Sequence, residues 1–149
     1  LEAGHEVTVF DAGRKKINGC IACDTCYSKG KACSFDDDFD TLAPLLERYD
    51  TLVLVSPIYW FTFPTQLKAA IDKLYAMGSK CSIREASLIT CGETGDLADF
   101  DGIVRTFDLI CNYKNWANLG RFIVPSVNAK GDVKETGYLE KAHKMGQDI

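Results

Sequence analysis

Apolar positions along the 149-residue chain switch back and forth between two periods, that of a strand and that of a helix. His5 to Asp11 (HEVTVFD) is rich in Val, Thr and Phe and predicts a short strand. Residues 13–34 follow neither period and carry Gly13, Gly19 and Gly30, which predicts an irregular loop. Phe35, Phe39, Leu42, Leu46 and Tyr49 then recur at helical spacing behind Asp36-Asp37-Asp38, an acidic opening suited to the positive end of a helix dipole. Pro44 lies inside that pattern, so a late start or a kink is expected. Thr51 to Val55 is continuously apolar, as a strand buried on both faces would be. Pro64 opens a helix whose Leu67, Ala70, Ile71 and Leu74 form one stripe, and Gly78 closes it. Ala86 to Cys91 predicts the next strand, followed by the turn Gly92-Glu93-Thr94-Gly95-Asp96. Phe100, Ile103, Val104, Phe107, Ile110 and Cys111 give another amphipathic helix, Arg121 to Val127 a further strand, and Tyr138 to Gly146 a last helix. This alternation, without repeats, predicts one α/β domain over 1–149 built on a doubly wound parallel sheet.

Composition narrows the partners. With 46% hydrophobic and 26% charged residues, the chain reads as an ordinary globular domain with room for a core. Its net charge of −4, with Lys and Arg spread out, gives no basic footprint for nucleic acid. The apolar runs are of strand length, too short to cross a bilayer. Glu2, His5 and Glu6 interrupt any apolar core of a secretory signal. Seven cysteines, an odd and clustered set, are unlike the even frameworks of secreted domains, so a reducing cytoplasm is expected. No G-x-S-x-G elbow, H-E-x-x-H pair or phosphate-binding P-loop is present, which leaves hydrolase and NTPase readings without support.

Candidate chemistry concentrates in two places. Cys20, Cys23, Cys26 and Cys33 follow the spacing C-x₂-C-x₂-C-x₆-C, in which thiolates on one loop can converge on a single centre. A [4Fe–4S] cluster, a Cys₄ zinc site, or free thiols that pair only in air are all compatible with that spacing, although paired C-x₂-C knuckles are the usual zinc format. Cys81 and Cys111 are isolated and expected to be buried. His5 and His143 read as solvated bystanders, and Lys68 with Asp72 as a surface ion pair four residues apart on one helix.

The second place is Ser56-Pro57-Ile58-Tyr59-Trp60, where an apolar strand ends in a turn and two aromatics. Ligands of open α/β sheets bind beyond the carboxyl ends of strands. Tyr59 and Trp60 either pack into the core or wall a flat aromatic ligand. Thr90 to Gly95 follows the next strand and shares that sheet edge. It is either a plain βα turn or a place where glycine lets backbone approach a ligand.

The segment Asp50 to Trp60, with Pro64-Thr-Gln-Leu-Lys68 and Ile71-Asp-Lys73, resembles the flavodoxin-like NAD(P)H-dependent FMN reductases. The cysteine loop running into Phe35-Asp36-Asp37-Asp38 resembles the iron–sulfur flavoproteins within that group. The resemblance covers nearly the whole chain and implies a flavodoxin-like sheet of order 2-1-3-4-5. By that resemblance, Ser56, Pro57, Ile58, Tyr59 and Trp60 contact the FMN ring. Cys91, Gly92 and Glu93 present backbone donors to its pyrimidine side, and Cys20, Cys23, Cys26 and Cys33 hold a [4Fe–4S] cluster.

One departure stands out. Leu1-Glu-Ala-Gly4 resembles the end of the family's first helix, so strand 1 and the phosphate loop before it are absent from this sequence. A parent chain about 30 residues longer, one strand–loop–helix unit, is expected.

The expected function is that of an FMN-dependent NAD(P)H oxidoreductase, passing hydride from nicotinamide to flavin and then to a second acceptor, in a homodimer. The alternative is an electron carrier, either a flavodoxin-type shuttle or an iron–sulfur flavoprotein reduced by ferredoxin. A third reading is that this shortened chain binds no flavin although its parent does.

Overall fold

The computed structural model describes residues 3–28 and 32–149. Three parallel strands form one sheet in the order β1 (Thr51–Pro57), β2 (Glu85–Cys91), β3 (Ala117–Val124). Parallel neighbours need long crossovers. Between β1 and β2 the chain runs through α3 (Thr65–Asp72) and α4 (Leu74–Met77), and between β2 and β3 through α5 (Asp101–Lys114). Two helices precede the sheet, α1 (Thr25–Ser28) within the cysteine loop and α2 (Phe39–Arg48); α6 (Tyr138–Asp148) follows it. The fold is the expected α/β type.

β1 and β2 stand in unbroken register, Thr51 opposite Glu85 through Pro57 opposite Cys91. Between β2 and β3 the register slips around Ala86 and Leu88. There Gly120 takes φ +119°, and its carbonyl accepts a 3.0 Å hydrogen bond from the Ser87 hydroxyl. β3 therefore starts at Ala117, four residues before the expected Arg121, because an Asn and a Gly in the ladder mask its apolar signal.

The core joins Phe39, Ala43 and Leu46 of α2, Ile71, Leu74 and Met77 of α3 and α4, Leu54, Ala86 and Leu88 of the sheet, and Ile103, Phe107 and Cys111 of α5. Helix α2 begins at Phe39, the late start that Pro44 predicts, and Pro44 forfeits only the bond to Asp40. A 3₁₀ turn over Leu97–Phe100, capped by the Asp96 carboxylate on the Ala98 N–H at 2.9 Å, leads into α5. Asn115 in the left-handed region ends it.

Two expectations need correction. His5 to Asp11 is extended but joins no ladder among the described residues. Composition can make a segment extended, but a strand needs a hydrogen-bonded neighbour. His5 to Asp11 is held instead at the end of α2, by Thr8 hydrogen-bonded to Tyr49 and by the Arg48–Glu6 ion pair. β1 is buried on one face only: Leu54 and Ser56 point inward, while Val53 and Val55 remain exposed. The apolar run that predicts a doubly buried strand is thus half uncovered.

Candidate functional site

At the carboxyl ends of β1 and β2 the two turns are tied together. The Ile58 N–H donates to the Cys91 carbonyl at 2.9 Å, extending the ladder one residue past the strands. Ser56 is buried, and its hydroxyl donates to the Pro57 carbonyl at 2.7 Å. Tyr59 and Thr62 then face each other as an antiparallel pair, exchanging N–H···O bonds of 2.9 and 3.2 Å.

The two residues between them, Trp60 and Phe61, both have positive φ, +47° and +66°. Positive φ at both central positions characterises a type I′ turn, normally filled by Asn-Gly; bulky side chains are rare there. Such a conformation persists only where surroundings enforce it. Here α5 does so. A Cβ on Gly102 would lie 2.4 Å from the Phe61 carbonyl oxygen, so glycine alone lets the first turn of α5 close on this loop. The result pushes Trp60 outward until it is 91% exposed, with Tyr59 and Phe61 also exposed.

The neighbouring loop is equally fixed. Gly92 is buried where a Cβ would meet Ile58 at 2.9 Å and Phe100 at 3.1 Å. Gly92 bonds to Val124 at the end of β3 and to Val127 beyond it, and the Thr94 carbonyl accepts from the Ser126 N–H. The Thr94 hydroxyl donates to Asp99 at 2.6 Å and accepts from the Asp96 N–H at 3.0 Å. Ile58, Trp60 and Phe61 on one side, with Glu93, Thr94 and Asp99 on the other, line an open recess. Burial pushes the Cys91 thiol up, so it stays neutral beside this recess. A flat apolar ring fits this recess: one wall is an uncovered indole and phenyl, the other backbone and polar atoms.

The sequence-predicted residues Ser56 to Trp60 and Cys91 to Glu93 therefore meet at one sheet edge. Phe61, Asp99 and Gly102 were not singled out. For Phe61 and Asp99 the usable signal is their place in the same two loops; for Gly102 it is a glycine in an amphipathic helix, where it costs helix stability and so has a packing reason.

The cysteines occupy a second recess. Cys20, Cys23, Cys26 and Cys33 line it with Ser34, Phe35, Lys73 and Tyr75. All four are free thiols; Cys20 and Cys23 are exposed, Cys26 half-buried and Cys33 buried. Hydrogen bonds from Ser34 (3.4 Å) and Thr25 bring the Cys23 thiol down to about 7, whereas burial raises Cys26. Tyr75 holds the loop by donating to Asp24 at 2.9 Å and by edge contact with Tyr27, and that bond to Asp24 raises its own pKa. Among the described residues, no three His, Cys, Asp or Glu side chains are gathered into a group that could hold a metal ion. The donor chemistry suits a thiolate-held centre, but the loop in this conformation does not present it as a finished ligand set. Cys81 and Cys111 are buried, as expected, and Lys68 pairs with Asp72 at 2.6 Å on a partly exposed surface.

The acidic run before α2 serves this loop rather than a helix dipole alone. The Asp37 side chain is 3% exposed and accepts from Lys73 at 2.6 Å, the Asn18 N–H at 2.9 Å and side chain at 3.0 Å, and the Phe39 N–H at 3.0 Å. Burial opposes its ionisation, but these donors outweigh it and hold the carboxyl at about 2, against an ordinary 3.8. A carboxyl depressed on folding stabilises the protein above its unfolded pKa, and that contribution disappears as pH falls through about 4 to about 2. Its size is on the order of 2 kcal/mol. Urea unfolding of the wild type and Asp37→Asn should therefore differ most near neutral pH and converge only below about pH 2; a gap independent of pH would refute this.

The sequence model of the NADPH-dependent FMN reductases matches residues 1–91. The chain belongs to that family. The curated relatives it matches are iron–sulfur flavoproteins. An iron–sulfur flavoprotein of Archaeoglobus fulgidus is 37% identical over 82 residues, 55% of this chain and 37% of that protein. Another, from Methanocaldococcus jannaschii, is 35% identical over 79 residues, covering 53% and 40%. The chain thus matches well under half the length of these relatives. Among solved structures, a putative quinone reductase from Klebsiella pneumoniae superposes with TM-score 0.65 at 18% identity, over 98% of this chain and 72% of that one. The FMN complex of general stress protein 14 from Treponema denticola gives 0.53 at 22%, over 80% and 76%. These likenesses establish the flavodoxin-like fold of this reductase-family chain. No helix among the described residues is long and apolar enough to cross a membrane.

Proposed function

We propose that this chain carries the flavin-ring site of an FMN-dependent NAD(P)H oxidoreductase, with the ring against the Tyr59–Thr62 turn. The observation that carries the reading is the pair of aromatics held at positive φ and turned outward beside an open recess at the ends of two parallel strands. When bound, FMN supplies the redox chemistry, accepting hydride from a nicotinamide and yielding electrons to a second acceptor.

The chain's own part is to bind and orient. Trp60 and Phe61 offer faces for stacking, and Ile58 fills the floor. The backbone of the Cys91–Glu93 turn, fixed by its bonds to the β3 side, is the candidate donor set for the ring's polar edge. No side chain in the recess is needed as an acid or base. The name borne by the curated relatives and the four-thiol recess favour, as a second reading, an iron–sulfur flavoprotein that takes electrons from ferredoxin. A homodimer is proposed with either reading.

Titration with FMN, followed by quenching of flavin fluorescence, tests the site. Trp60→Ala should bind about tenfold more weakly, in keeping with roughly 1–1.5 kcal/mol for an aromatic contact. It should melt as the wild type does, since Trp60 packs against little. Equal affinity in the two proteins, or no quenching by the wild type, would defeat the assignment. Steady-state oxidation of NADPH with added FMN separates the two readings: turnover supports the reductase, and reduction by ferredoxin alone the carrier.

A further inference from the structure

The recess at the strand ends has a sign as well as a shape. Ile58, Trp60 and Phe61 on one side carry no charge, while Glu93 and Asp99 on the other are carboxylates. No Lys, Arg or His is among the described residues that line it. The stretch from Glu93 to Asp101 repeats the bias, with Asp96 and Asp99 between them and no basic residue.

Three of these acids have a place in the fold. Asp96 caps the Ala98 N–H at 2.9 Å, and Asp99 accepts from the Thr94 hydroxyl at 2.6 Å. Asp101 stands in the first turn of α5, where the helix dipole favours an acid. Glu93 has no such place. It is exposed and lines the recess, and among the described residues its carboxylate meets no cation.

An exposed acid alone is ordinarily a solvated surface charge. Glu93, however, stands across an open recess from an indole that is 91% exposed. Carboxylates repel an incoming anion, and a cleft focuses their field on whatever enters it. An uncovered indole face stacks on a neutral ring and attracts a cation. Both walls therefore discriminate in the same direction.

We propose that the second acceptor at this recess is a flat conjugated ring bearing no negative charge, and that Glu93 is a specificity-determining residue that turns anionic rings away. This rests on the reductase reading and deepens it by naming the charge class of the molecule that takes the electrons.

Three naphthoquinones test it: the parent ring, and the same ring carrying either a sulfonate or a trimethylammonium group through a methylene spacer. The two charged groups are alike in bulk and opposite in sign. In each reaction NAD(P)H gives up a hydride and becomes NAD(P)⁺, and the quinone gains that hydride and one proton from water to become the hydroquinone. Steady-state kcat/KM of the FMN-loaded full chain is measured at low and high ionic strength. Quenching of tryptophan fluorescence by the same rings, without NAD(P)H, follows binding apart from turnover.

At low salt the sulfonate should react about fivefold less well than the parent, and the ammonium at least as well as the parent. The spread should close near 1 M salt, where the Debye length is about 3 Å; a steric handicap would not. Glu93→Gln should cut the sulfonate's handicap to about twofold, and Glu93→Lys should reverse it. Ratios are read within each variant, so a change in FMN affinity cancels. Quenching should follow the same order. A sulfonate that reacts and quenches as well as the parent, or a handicap that neither salt nor Glu93→Gln relieves, would overturn the proposal while leaving the reductase reading in place. Absence of turnover with all three rings would overturn that reading and this proposal with it.

Discussion

Phe100→Ala is expected to destabilise the chain by about 3–5 kcal/mol, the range for removing a fully buried phenyl ring. Phe100 is wholly enclosed at the end of the 3₁₀ turn before α5, and it packs in the main core beside Ile103 and Phe107. Its ring tip also lies 3.1 Å from the point where a Gly92 Cβ would stand, so it backs the turn that forms one wall of the recess proposed for the flavin. For a domain of this size the loss corresponds to a fall in melting temperature on the order of 10 °C. FMN affinity, measured well below that melting temperature, should fall as well, because the Gly92 turn loses its support. A variant that melts normally would show that the 3₁₀ turn is not anchored through this ring.

Gly102→Ala reverses the usual sign of a helix substitution. In an open helix, replacing Gly by Ala gains roughly 1 kcal/mol. At Gly102 the added methyl would stand 2.4 Å from the Phe61 carbonyl oxygen, a backbone atom that cannot swing aside. Either α5 retreats or the Trp60–Phe61 turn gives way. The expected result is a loss of about 1–3 kcal/mol in stability and a drop in FMN affinity of roughly tenfold or more. Gly146→Ala in α6 is the internal comparison, since nothing lies within 4 Å of its added methyl. It should be neutral or slightly stabilising. Chemical denaturation and FMN titration of both variants check the pair, and similar behaviour at the two positions would disprove the close approach.

The sheet and its helices were legible where periodicity and burial agree. β2 reads as an apolar run and is buried along most of its length; α5 shows its stripe and buries Ile103, Phe107 and Cys111 along it. That the candidate site's two segments lie side by side was legible through position, since Ser56 to Trp60 and Cys91 to Glu93 end neighbouring strands. What stayed hidden are features that contradict a residue's ordinary habit. Lysine is seldom fully buried, and nothing local marks Lys73 as the exception. Trp-Phe is a poor candidate for a turn with both φ angles positive, because the enforcing contact comes from Gly102, some forty positions away. Asp37 looks like helix-opening charge until its partners Asn18 and Lys73 are placed. The extended run His5 to Asp11 carries strand composition, but pairing depends on a neighbour and not on composition alone.

β1 hydrogen-bonds to β2 and to no other strand among the described residues, and Val53 and Val55 along it remain open to solvent. A border of that kind is a template: any stretched peptide arriving alongside can add its own main chain to it. For anyone handling this polypeptide at high concentration, the most abundant such peptide is another molecule of itself.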